Sequence, residues 1–228
     1  MDFGEVGFAA LALAAALNLP VLGVSIPLVI VASIIIMIIS QKKGEHGDIM
    51  VALVASGALA IGVIITAMTS GFGSNTYNYM FGSILAMTKS DVVLSVILAI
   101  VSIFVYAFFY NRLFLITFDE KFAKASGISV TLYQFLISIL TAFIVVIGMR
   151  MMGTLLISSL IVFPCIIAKK TTVSFKGLVI MSGLLSVICF CIGMLASFYL
   201  DLPTGAVIVA IYYLLLGIST VTAKLAKI

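Results

Sequence analysis

Few side chains in this sequence can do chemistry, and their spacing decides which chemistry is open to them. The one histidine, His46, sits in the polar stretch QKKGEHGD beside two acids. A transient metal contact and a solvated loop residue both fit that setting, and the loop residue is the simpler reading. Cys165, Cys189 and Cys191 lie inside apolar runs with no CxxC or Cys/His cluster, where free cysteine behaves as a small buried hydrophobe. There is no GxxxxGK[ST], HExxH or GxSxG pattern, and no carboxylate pair at hydrolase spacing. An enzyme has almost nothing to work with here, and no permanently bound cofactor is expected. The acids of interest are Asp2 and Glu5, directly ahead of VGFAALALAAAL. Burying an ionisable group in lipid is expensive, so one at a membrane helix points to a transport path. An acidic N-terminus also complements the positive end of a helix dipole, and the residues alone leave both readings open.

The elements that must position those acids are membrane helices. The chain has 228 residues, 64% hydrophobic and 9% charged, with a mean hydropathy of +1.39. Soluble domains carry about 25% charged residues, so this inventory builds no water-exposed surface and specifies an integral membrane protein. Acids rather than a basic region precede the first apolar run, unlike a cleavable signal peptide. A spanning helix needs about 20 apolar residues. Charge-free windows supply them at 20–40, 49–70, 91–111, 130–149, 151–168, 177–199 and 204–223, with a shorter one at 6–19. The runs are continuous, not the alternating segments of a membrane barrel. The expected fold is therefore all-α, a polytopic transmembrane bundle of seven or eight spans. VGFAALALAAAL, ALVASGALAIG and MGTLLISSL carry small residues at helical spacing and predict close helix packing. Pro27 and Pro164 fall within spans and are expected to bend or break them, as simple kinks or as path-lining breaks.

Ten of the twelve Lys and Arg residues fall on one side of this arrangement; Lys89 and Arg150 fall on the other. The positive-inside bias makes the first side, with the C-terminus, cytoplasmic. The stretch 70–90 is then outside, where a short re-entrant or surface helix is expected around 80–87. Asp91 and Asp201 read as caps at outer ends of spans, and Arg150 as a snorkelling cation. On the cytoplasmic side lies TFDEKFAKASGI, four charges in twelve residues. Read as a helix, it groups Phe118, Phe122 and Ala125 on one face, with Asp119, Lys121 and Lys124 away from it and Gly127 as its stop. Such a helix lies on lipid headgroups or docks in a groove of a cytoplasmic protein; periodicity does not separate the two.

Four stretches, YMFGSILAMTKSDV, TFDEKFAKASGI, GMRMMGTLLISSLIVFPCIIA and DLPTGAVIV, resemble in order and spacing the permease subunits of bacterial metal-ion ABC importers of the zinc, manganese and iron type. The resemblance runs from about residue 5 to 220. It implies one permease domain, 1–228, in the bacterial inner membrane, without one or more spans that precede VGFAALAL in the family. It implies a cytoplasmic ABC ATPase, an extracellular solute-binding protein and a second, identical permease chain as partners. Nucleic acid is not among the implied partners. The cargo would be a divalent Zn, Mn or Fe ion moved by alternating access. TFDEKFAKASGI becomes the coupling segment seated in a cleft of the ATPase, through Phe118, Asp119, Glu120, Phe122, Ala123, Ala125 and Gly127. The family's DxLSHVGF motif lines the metal path with its Asp and His; here the matching stretch is MDFGEVGF, with Glu5 in the histidine position and Asp2 one residue out of register. Both become candidate metal-path residues, since a carboxylate suits Mn or Fe through oxygen. Two alternatives stand beside this reading. A non-transporting anchoring or regulatory subunit is favoured by the missing histidine. A secondary carrier would show mid-membrane carboxylates and repeated broken helices, which the sequence lacks.

Overall fold

Each charge-free run of the sequence is a helix in the computed structural model, which describes residues 3–17, 19–43, 47–70 and 88–225. Asp2, His46 and the outer helix expected around 80–87 lie outside the described residues. The helices are α1 (Phe3–Ala16), α2 (Val21–Lys43), α3 (Gly47–Ser70), α4 (Lys89–Phe118), α5 (Glu120–Ala125), α6 (Val130–Met152), α7 (Thr154–Thr171), α8 (Phe175–Leu200) and α9 (Thr204–Leu225). Among the described residues, six helices are long and apolar enough to cross a membrane: α3, α4 and α6 to α9. The apolar parts of α1 and α2 are shorter, Gly4–Ala16 and Leu22–Ile38. This is the all-α polytopic bundle that the hydropathy windows require. Both α2 and α7 run through their prolines, Pro27 and Pro164, without a break. A proline in a membrane helix forfeits one backbone bond, and packed neighbours tolerate that loss.

The links from α6 to α7 and from α8 to α9 are short. Gly153 alone joins α6 to α7, at a φ of 81° that a side chain would resist, and its N–H donates to Met149 O at 2.8 Å. Asp201 ends α8 in the left-handed region, φ 50°. Beside it the Ser197 hydroxyl donates to Leu202 O at 2.6 Å. Consecutive spans therefore fold back on one another. The end of the bundle with Arg112, Lys121, Lys124, Lys169, Lys170 and Lys176 is called the lysine end below.

The shortest long helix is the most enclosed. α1 packs against α2, α3, α6 and α7, and its Phe8, Leu11 and Ala14 are wholly buried. Small residues make this enclosure possible. A methyl group built on Gly62 of α3 would lie 3.0 Å from Ala9 Cα, and one on Gly7 would collide with Met149 of α6. In α8, a methyl on Gly193 would lie 3.0 Å from Ile208 Cα of α9, beside the cluster of Leu156, Cys189, Ile208 and Tyr212. Lipid supplies no hydrophobic force between helices, so this backbone proximity and its dispersion contacts hold the bundle.

α4 is packed differently. None of its apolar window is buried, and its main spanning neighbour is α6. At one end Thr88 and Asp91 form a capping box: Thr88 N–H donates to Asp91 Oδ2 at 3.1 Å and Asp91 N–H to Thr88 Oγ1 at 3.3 Å. Asp91 also meets Arg150 of α6 at 3.3 Å, so Arg150 is an ion-pair partner and not merely a snorkelling cation. At the lysine end, Arg112 donates to the Tyr133 hydroxyl and stands 5.7 Å from that ring's centre, beside the buried Leu113, Ile116, Val130 and Tyr133.

Gly62→Leu and Gly193→Leu are expected to cost about 1–3 kcal/mol each, the range for overpacking. Gly57→Leu, where nothing lies within 4 Å, is expected to leave stability unchanged; melting followed by circular dichroism in one detergent compares the three. For the ion pair, Asp91→Ala and Arg150→Ala together should destabilise less than the sum of the two single changes, because the pair is shared. Strict additivity in the same melts would dissolve that pairing.

Candidate coupling helix and translocation path

TFDEKFAKASGI folds as the end of one helix and the whole of another. Thr117 and Phe118 complete the last turn of α4, and Asp119 is extended at φ −147° and ψ 97°. Its N–H still closes α4 on Leu115 O, at 3.0 Å, while its carboxylate accepts the Phe122 N–H at 2.9 Å and so caps α5. The far end closes just as firmly. Gly127, at φ 78°, donates its N–H to Lys124 O and Ile128 donates to Ala123 O, both at 3.1 Å, which is a Schellman motif. A free helix of six residues would not persist in water; these caps and one packed face hold it.

That packed face is centred on Ala123, which is fully buried against the ends of α4 and α6. A small residue there lets α5 sit directly on Leu113, Ile116, Val130 and Tyr133. The outward side carries Phe122, 57% exposed, with Phe118 beside it at 82%. One correction to the sequence reading follows. Phe118 and Phe122 do not share a helical face, because the extended Asp119 between them divides the segment into two helices. Phe118 instead stacks on Phe114 at 5.8 Å, and Phe114 meets Phe175 of α8 at 5.2 Å. Ala125 is exposed. Glu120 and Lys124 pair at 2.6 Å on the exposed surface, where such a pair adds little stability. The segment is thus a rigid ledge with two aromatic rings outward, joined through its underside to two spans.

Glu5 stands in the first turn of α1 and is partly buried. Its neighbours in sequence show where that turn lies: Gly4 faces Ser158 and Thr154 O of α7, and Gly7 faces Val145 and Met149 of α6. α1 ends in a tight turn, with Leu19 N–H on Ala14 O at 3.1 Å. Glu5 lies eleven residues before Ala16, roughly 16 Å along the axis. The enclosed helix therefore carries its acid at the end opposite that turn. Among the described residues, no three His, Cys, Asp or Glu side chains gather closely enough to hold a metal ion. Asp2, the other candidate, lies outside the described residues.

Buried polar groups nearby went unremarked in the sequence. Ser25 of α2 is fully buried with no hydrogen-bond partner for its hydroxyl, whereas Ser33 on the same helix donates to Val29 O at 2.7 Å. Serine in a long apolar run carries no periodic signal of which way it faces, so only packing reveals it.

Known proteins with the same pattern agree with this architecture. The sequence profile described as the ABC 3 transport family matches residues 6–223. A "Probable metal transport system membrane protein" of Chlamydia muridarum is 29% identical over 82% of this chain and 62% of its own length. A similarly named protein of Chlamydia pneumoniae is 31% identical over 75% of this chain and 58% of its own. The "Manganese import system permease protein ScaB" of Streptococcus gordonii is 28% identical over 79% and 64%. The chain thus spans about three fifths of the length of the curated relatives it matches. A solved structure, "PsaBC from Streptococcus pneumoniae in complex with Fab", superposes with a TM-score of 0.81 at 24% identity, covering 96% of this chain and 78% of that one, and so shares the fold. With the profile spanning nearly all of its residues, the chain belongs to the ABC 3 transport family.

Proposed function

We propose that this chain is the permease subunit of an ABC importer that moves a divalent transition-metal ion, with manganese the favoured cargo. Membership of a transport family supports the general reading, and relatives named for metal and manganese transport support the cargo. The observation that carries the mechanism is the ledge at α5. Exposed Phe122 stands on a capped helix whose other side is locked to α4 and α6 through Ala123, and exposed Phe118 ends α4 beside it. Aromatic rings held this way suit a groove on a partner protein. The partner is a cytoplasmic ABC ATPase, and the lysine end, with the C-terminus, is the cytoplasmic end in the inner membrane.

In this reading the ATPase supplies the ATP chemistry and this chain converts its motion. A floppy loop would absorb a displacement, whereas α5 passes it to α4 and α6 because caps and buried contacts leave it no slack. Spans that meet through small residues can then tilt as bodies, exposing the path to one side and then the other. A second permease chain, the same polypeptide by expectation, completes the path, and an extracellular solute-binding protein delivers the ion to its outer mouth. Glu5, on the enclosed α1, offers the passing ion a carboxylate, the donor type suited to Mn²⁺. The ion is cargo and not a resident cofactor.

Two experiments test this. In detergent, Phe122→Asp should weaken co-purification of the cognate ATPase about 30-fold, the effect of losing an aromatic hot spot, with the helical spectrum unchanged. A wild-type chain that captures no ATPase would end the coupling assignment. In proteoliposomes holding the complete importer, Glu5→Ala should reduce manganese uptake to background while ATPase binding persists. Uptake equal to wild type would instead support the non-transporting membrane subunit.

A further inference from the structure

α4 and α6 touch at their ends and part in the middle. Between the Asp91–Arg150 pair and the Arg112–Tyr133 contact lies a crevice of about 620 Å³. Its walls include Ile97 and Val101 of α4 and Leu136 and Phe143 of α6, with Ile26 of α2 behind, and every lining residue is apolar. Ile97 and Val101 are 53% and 44% exposed, so the crevice opens sideways out of the bundle. Water has no polar group to bind there, and an empty crevice leaves its walls without dispersion partners. Asp91 and Arg112 are 21 residues apart on α4, about 31 Å at helical rise. That matches the roughly 30 Å hydrocarbon core of a bilayer, so the two polar contacts sit at the two interfaces and the crevice faces acyl chains.

The charges at the two ends differ. Arg150 meets the carboxylate of Asp91 at 3.3 Å, which matches its charge. Arg112 meets only neutral groups in its described contacts, the hydroxyl and ring of Tyr133. Of the described acids that follow Arg112 in the chain at this end, Asp119 caps α5 and Glu120 pairs with Lys124. An apolar slot with a guanidinium that meets only neutral groups two turns beyond its lysine-side end is complementary to one kind of molecule, an amphiphile with an anionic head. We propose that the α4–α6 crevice binds an acyl chain of an anionic phospholipid whose phosphate is held by Arg112. The guanidinium fork suits phosphate oxygens, and the chain completes packing that α4 lacks. The site is independent of the transport reading.

The chain contains no tryptophan, which makes a single tryptophan a clean reporter. Phe143→Trp places one in the crevice, and Phe104→Trp places one on the outward side of α4, where Phe104 is 68% exposed. Both are reconstituted in vesicles with brominated phosphatidylglycerol or brominated phosphatidylcholine at equal, low mole fraction. At Phe143→Trp, the anionic lipid should quench with about fivefold higher apparent affinity, the preference one basic side chain confers. Arg112→Gln should remove that preference and Arg112→Lys should restore most of it, while Phe104→Trp shows none in any background. Equal quenching by both lipids at Phe143→Trp would reduce the crevice to ordinary boundary lipid and overturn the proposal. Quenching at Phe104→Trp but not at Phe143→Trp would mean that another protein helix fills the crevice, which overturns it as well. Native mass spectrometry of the unmodified chain gives a check free of any substitution: phosphatidylglycerol adducts should outnumber phosphatidylcholine adducts from an equal mixture, and parity would contradict the site.

Discussion

Helices in a bilayer gain nothing by hiding apolar side chains from lipid, and this bundle depends on meeting that constraint with backbone proximity. Where a glycine or alanine lies at a crossing, two backbones approach until dispersion contacts replace those with lipid. Gly62 against Ala9, Gly7 against Met149 and Gly193 against Ile208 are such crossings. They explain why a helix of only 14 residues is the most enclosed element. Its small residues bring four neighbouring helices close enough to enclose it.

A second principle governs α4. Bulky residues line it, its apolar window is not buried, and polar contacts join its ends to α6. The result is a span clamped at two depths and open between them. The clamp at the lysine end is also the seat of α5. The Tyr133 that holds Arg112 belongs to the same buried cluster as Ala123. The outward rings of Phe118 and Phe122 are thus mechanically continuous with both spans. Loose packing in the middle and firm attachment at the end suit an element that must move as a unit when pushed at one end.

Much of this was legible in the sequence. Charge-free windows located every long helix, since a run that cannot face water has no other fate. Gly127 announced the end of α5 because only a residue tolerant of positive φ serves there, and Asp91 announced a cap because it lies at the outer end of a span. The failures have physical reasons too. Helical periodicity across TFDEKFAKASGI placed Phe118 and Phe122 on one face, but Asp119 gains more by capping α5 from an extended conformation than by continuing α4. Periodicity cannot register that local competition. The partners of Arg150 and Arg112 lie 59 and 21 residues away in sequence, and nothing local points to them. Pro27 and Pro164 do not break their helices, since neighbouring spans decide whether one lost bond matters. The setting of the first turn of α1 was the least legible, for Gly4 and Gly7 there face residues of α7 and α6 that lie far away in sequence.

The central claim is that α5 is a rigid ledge whose Phe122, with Phe118 at the end of α4, enters a cytoplasmic ATPase. The most direct measurement places a photo-crosslinking amino acid at position 122 in whole membranes, with the same group at position 104 as a lipid-facing control, and identifies what each captures by mass spectrometry. The account predicts that position 122 yields an adduct with the cognate ABC ATPase and that position 104 yields lipid alone. Lipid adducts alone at position 122, in membranes where the ATPase is present, would contradict it and leave α5 as a helix lying on headgroups.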